Sequence, residues 1–162
     1  QQQYRIVFSV NSTNYPVVFS VNSTNYPDRK MDFVKEMQAC RIAFANQTDV
    51  TVQTVDFMTL SIKEQVKVAS ETVVRVTSTG GGAVTATFLP NHASLFLYYL
   101  VNPKDRHKLM LDYAIFENAG YLRTHWMPLV SARDDETAST QALIHAIFYE
   151  LERIRMLRQE SY

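Results

Sequence analysis

Apolar residues recur along this chain in two alternating rhythms, short β-branched or aromatic runs and longer stretches with helical spacing. Val50 to Val55 has the first rhythm and predicts a strand, as does Thr72 to Thr77, whose β-branched and apolar content suits a buried position. Ser94 to Val101 (SLFLYYLV) is almost unbroken in its apolarity, which calls for cover on both faces. Tyr121 to His125 predicts a further short strand. The second rhythm begins near Asp32, a residue type that caps helix N-termini, with Phe33, Met37, Cys40 and Phe44 at helical spacing. Ser61 and Glu64 form an S-x-x-E capping box, which predicts a helix with Ile62, Val66 and Ala69 on one face. Met110 to Asn118 predicts a short helix. A long amphipathic one closes the chain with Leu143, Ile147, Leu151 and Ile154 inward.

Strands that alternate with helices predict an α/β fold: a Rossmann-like parallel sheet with helices on both faces. At 162 residues the chain has the length of one domain, residues 1–162, with a single sizeable core. Its N-terminal part carries a tandem copy. Ile6 to Pro16 is followed at once by Val17 to Pro27, and the copies differ only where Val17 replaces Ile6. Each copy predicts an apolar strand and a polar turn ending in proline. Two copies of an 11-residue period do not make a solenoid. The second copy is the better candidate for the sheet, because it joins directly to the next helix. The start at Gln1, without Met, gives the chain the look of a fragment of a longer one.

Composition removes several classes of function. The sixteen basic and sixteen acidic residues cancel, so no overall field favours nucleic acid. No run approaches the length of a membrane-spanning helix. Cys40 is the one cysteine, which excludes an internal disulfide and a cysteine-based zinc cluster; its apolar setting predicts an inert buried thiol. The four histidines, His92, His107, His125 and His145, lack metal-ligand spacing, and no metal site is expected. Asn11, Asn22 and Asn46 each open an N-x-S/T sequon, a pattern that points to a secretory lumen and glycosylation.

Two segments carry candidate chemistry. Thr77 to Thr85 places Gly80, Gly81 and Gly82 after a predicted strand, where glycines let the backbone approach a ligand and free amides favour phosphate. Ser78, Thr79 and Thr85 add hydroxyls there. Neither the Walker A pattern nor G-x-G-x-x-G spacing is present. Arg29 and Lys30 precede the first helix, on the edge that loops after parallel strands share, and are suited to neutralising a diphosphate. The plainer readings are a tight turn and a solvated basic pair. The charges of Glu150, Glu152, Arg153, Arg155 and Arg158 match a solvated helix face.

Ser61-Ile62-Lys63-Glu64-Gln65-Val66, the strand after it, the glycine loop and Phe88-Leu89-Pro90 together resemble family 61 glycosyltransferases over residues 17 to 101. The family's loop histidine aligns with Thr79, which cannot titrate near neutral pH. The resemblance implies the C-terminal, donor-binding half of a GT-B fold. It further implies an inverting, metal-independent transfer from a nucleotide-sugar donor to a glycan or glycoprotein hydroxyl, in the Golgi or another secretory compartment. No cofactor beyond the nucleotide-sugar substrate is implied, and an N-terminal acceptor domain would complete the enzyme. Arg29, Lys30, Ser78, Thr79, Gly80, Gly81, Gly82 and Thr85 would hold the donor, and no catalytic residue is assigned. The alternative is a degenerate, non-catalytic member acting as an interaction module.

Overall fold

A computed structural model of the chain describes residues 15–20, 33–100, 111–129 and 136–159. Five strands form one parallel sheet: β1 (Tyr15–Ser20), β2 (Val50–Val55), β3 (Val74–Ser78), β4 (Ser94–Leu100) and β5 (Arg123–Leu129). Their order across the sheet is β2-β1-β3-β4-β5. The predicted α/β class with a parallel sheet and helices on both faces is what the chain adopts.

Helices alternate with the strands. The helices comprise α1 (Val34–Ala43), α2 (Ile62–Glu71), α3 (Leu111–Phe116) and α4 (Glu136–Gln159), with 3₁₀ helices at Phe57–Thr59 and Gly81–Phe88. A right-handed crossover puts its helix on opposite faces according to the direction in which the chain moves across the sheet. The step from β1 out to β2 and the step back past β1 to β3 run in opposite directions, so α1 and α2 fall on opposite faces. One core lies under α1 and α4, where Val17, Phe19, Val74, Val76 and Phe96 meet Cys40, Phe44, Leu143, Ile147, Leu151 and Ile154. The second lies under the longer 3₁₀ helix and α3, where Leu95 and Leu97 meet Ala83, Ala86, Leu89 and Phe116. Alternate residues of β4 therefore serve different cores, which explains the unbroken apolarity of that strand.

Local signals in the sequence account for several boundaries. β2 has the predicted limits. The α2 capping box is present in both directions: Glu64 Oε2 accepts from the Ser61 amide at 2.8 Å, and Ser61 Oγ accepts from the Glu64 amide at 3.4 Å. The inward stripe of α4 is as expected, with Leu143, Ile147, Leu151 and Ile154 all buried. Ile62 is not on a buried face; it is 80% exposed, and only Ala69 of its trio is buried. At the start of α1 the N-cap is Phe33, without a side-chain cap bond, while Asp32 lies outside the described residues. Phe33 has φ 52°, a left-handed conformation uncommon for a bulky residue. Burial holds it there, since its ring packs 6.0 Å from that of Phe19 and 5.3 Å from that of Tyr98.

β1 straddles the tandem copy. Tyr15 and Pro16 end the first copy, and Val17 to Ser20 begin the second, which supplies the buried part of the strand.

Candidate functional site

In open parallel sheets ligands bind beyond the C-terminal strand ends, where neighbouring connections leave in opposite directions. Here that switch lies between β1 and β3. The segment after β1, with Arg29, Lys30 and Asn22, lies outside the described residues, as does Asn11. The segment after β3 is the glycine loop, so this edge carries Ser78, Thr79, Gly80, Gly81, Gly82 and Thr85 together.

The loop is fixed from several directions. The Thr79 amide donates to Tyr98 O at 2.8 Å, continuing the sheet beyond β3. Gly80 then turns with φ 130° and ψ −171°, a region essentially restricted to glycine. Its amide lies 3.2 Å from both carboxylate oxygens of Asp112, a buried residue of α3. Gly81 and Gly82 make no such demand: a Cβ on either would meet nothing within 4 Å. Glycine is therefore obligatory at the first of the three positions and leaves open space at the other two.

Beneath the loop is Arg75, which is fully buried. It pairs with Val18 in the register, yet its Nε donates to the Oγ of Ser20, two residues further along β1, at 3.0 Å. The guanidinium thus reaches toward the C-terminal edge. Nη1 donates to Thr85 Oγ1 and Nη2 to the carbonyl of Gly82, each at 2.7 Å. The Phe57 ring covers the group at 4.0 Å. Among the described residues every partner is neutral, and no carboxylate pairs with it. Burial draws its pKa down to about 9, which leaves the side chain charged at neutral pH. Thr85 is accordingly an inward ligand of Arg75 and not a free donor at the surface.

Next to the loop, Trp126 of β5 stands 5.2 Å from the ring of Tyr113 and 6.3 Å from that of Tyr99, all three half-buried. The edge therefore combines a buried cation, an open glycine backbone and an aromatic ledge. Asn46 is exposed in the turn between α1 and β2, away from this edge.

The opposite edge is built differently. Glu150 of α4 is fully buried and accepts from Ser94 Oγ at 2.7 Å, Arg153 Nε at 2.7 Å and Arg123 Nε at 2.9 Å. His125 Nε2 lies 3.1 Å from its Oε1, and the imidazole stacks on Phe96. Burial opposes ionisation of Glu150, but the hydrogen bonds from His125, Ser94 and Arg153, with the charge of Arg153, outweigh it and hold the pKa at about 2. The expected solvated face of α4 is corrected here, because Glu150 ties the helix to the starts of β4 and β5. Arg155 is likewise engaged, bonding Asp49, Gln47 and Glu152.

No family model and no curated protein matches the sequence. Among solved structures, the diflavin flavoprotein A3 from Nostoc sp. aligns over 92% of this chain and 99% of that one, with 16% identity and a TM-score of 0.56. A flavodoxin-like domain from Synechococcus sp. aligns over 80% of this chain and 91% of that one, at 18% identity and a TM-score of 0.49. The strand order 2-1-3-4-5 is that of the flavodoxin arrangement of doubly wound sheets. The fold is flavodoxin-like.

This corrects the resemblance to family 61 glycosyltransferases. The flavodoxin-like architecture, matched to a flavoprotein chain over nearly its whole length, overturns the assignment to a GT-B donor half. The glycosyltransferase, nucleotide-sugar and Golgi descriptions lose their basis with it, as do the donor and acceptor partners, the expected acceptor domain and the degenerate-member alternative. The residues that carried the resemblance have local structural explanations. Ser61 and Glu64 start α2, and Phe88 to Pro90 end the 3₁₀ helix, where the Leu89 amide donates to Ala86 O. Arg75, Asp112 and the aromatic ledge were missed from the sequence. The available signal was a lone arginine in Val73-Val74-Arg75-Val76, a run whose apolarity marks a buried strand.

Proposed function

We propose that this flavodoxin-like domain binds a phosphorylated planar cofactor of the flavin mononucleotide kind at the C-terminal edge of its sheet. The observation that carries the reading is Arg75, a buried cation whose partners among the described residues are all neutral, beneath the glycine loop at the switch point. A buried charge is costly unless it is balanced. An anionic group at the open Gly81-Gly82 backbone supplies the balance, and the absence of side chains there leaves it room. Tyr99, Trp126 and Tyr113 offer aromatic faces for a flat ring and exclude water from it. The named likeness to a diflavin flavoprotein supports the choice of flavin.

The residues thus divide the work of binding. Ser20 and Thr85 hold the guanidinium of Arg75, Arg75 sets a positive field under the loop, and Asp112 fixes the Gly80 turn through its amide. A bound flavin would supply one- or two-electron transfer.

The test is titration of the folded chain with flavin mononucleotide and with riboflavin, followed by flavin fluorescence and the visible absorption band. The phosphorylated flavin is expected to bind more tightly, inorganic phosphate to compete with it, and Arg75→Met to lower its affinity by about tenfold. A folded chain that leaves both flavins unperturbed at millimolar concentration would sink the reading.

A further inference from the structure

The tandem copy extends further than its 11-residue period shows. The strand segment Tyr15-Pro16-Val17-Val18-Phe19-Ser20 has a counterpart in Tyr4-Arg5-Ile6-Val7-Phe8-Ser9, with differences only at Arg5 for Pro16 and Ile6 for Val17. The slot that β1 fills is the most demanding in the sheet. It lies between β2 and β3, and Val17, Val18 and Phe19 are wholly buried in it. Shifting an ordinary strand by an odd number of residues turns every inward side chain outward. Here the repeat restores the same residue types to the same faces.

Each difference is compatible with the slot. At the Pro16 position the sheet uses the carbonyl, which accepts from the Val73 amide at 3.1 Å and which any residue provides. Pro16 is half-buried at the start of the strand, and a long side chain reaches solvent from there. Tyr4 would take the place of Tyr15, whose ring lies 5.2 Å from the guanidinium of Arg155 and 4.7 Å from that of Arg158. Ile6 adds one methylene to a packed core where Val17 has none to spare, which costs about a fivefold shift in population and favours the second copy.

We propose that β1 is an exchangeable strand: within one chain, Tyr4–Ser9 can occupy the slot between β2 and β3 in place of Tyr15–Ser20. The seven residues after the strand are identical in the two arrangements, Val10 to Pro16 in one and Val21 to Pro27 in the other. The edge at the switch point is therefore supplied with the same polar sequence either way. What changes is the tether between β1 and α1, longer by 11 residues when the first copy is seated. The repeat thus conserves the chemistry beside the site while relaxing its connection to α1.

Placing a charge in one copy at a time decides the matter. Phe19→Asp puts a carboxylate into the core and disables the second copy; Phe8→Asp disables the first; the double variant disables both. The Phe19→Asp chain is expected to stay folded and cooperative, with backbone amide protection moved from residues 17–19 to residues 6–8. Phe8→Asp is expected to melt like the parent, and the double variant to be unfolded. If Phe19→Asp alone is as unfolded as the double variant, or stays folded with protection still at 17–19, the exchange does not occur.

Discussion

Glu150 and Arg75 are both wholly buried, one at each edge of the sheet, and the two edges treat them in opposite ways. At the N-terminal edge Glu150 is met by two arginines, a histidine and a serine, an excess of donors for one carboxylate. At the C-terminal edge Arg75 is met by two hydroxyls, a carbonyl and an aromatic ring, with no counter-charge among the described residues. A saturated charge ties elements together; an unbalanced one leaves a field for something else to neutralise. The difference separates a structural network from a candidate site.

The largest effect should come from breaking the saturated edge. Glu150→Gln leaves Arg123 and Arg153 without their carboxylate and is expected to cost about 3–5 kcal/mol in urea unfolding. A loss within the range of a surface mutation would show the network to be ornamental. Acid probes the same group without mutation. Its folded pKa, about 2, lies below the ordinary 4.5, so its contribution is fully present above pH 4.5 and lost as pH falls toward 2. Stability measured across that window should decline in the parent, and the part of the decline due to Glu150 should be missing in Glu150→Gln.

Gly80 comes next. Alanine at φ 130° and ψ −171° is expected to cost roughly 1–3 kcal/mol, whereas Gly81→Ala should change stability by less than about 1 kcal/mol. Equal melting temperatures for the two variants would show that the loop is not held in this turn. A small stability change is likewise expected from Arg75→Met. An apolar chain of similar reach replaces a buried charge, so unfolding should shift by only about 1 kcal/mol while phosphate-dependent affinity falls. Were Arg75→Met to destabilise the chain as much as Glu150→Gln, the contrast between the edges would collapse.

Much of the scaffold was legible because its signals are local. Ser61 and Glu64 satisfy each other's amides within one helical turn, and the α4 stripe follows from spacing alone. The site was less legible because its parts are distant in sequence. Gly80 could be singled out from its neighbours only through Asp112, 32 residues away, and Ser20 meets Arg75 across 55. Glu150 looked solvated because its neighbours in sequence are charged, whereas three of its partners, Ser94, Arg123 and His125, come from the strands. The glycosyltransferase resemblance weighed the order of short motifs that helix starts and turn ends also produce.

Cys40 gives the molecule a clock. Burial, with the nearby charge of Glu36, pushes its thiol up to about 12, and no part of it is exposed. A thiol in that state does not react from the closed structure. Alkylation must await a fluctuation that lifts α1 from the sheet, so at low reagent its rate reports the fraction of molecules that are open. No label needs to be introduced, since the chain holds a single cysteine. Any event that frees the start of α1 from β1, a change of strand included, should set that clock running faster.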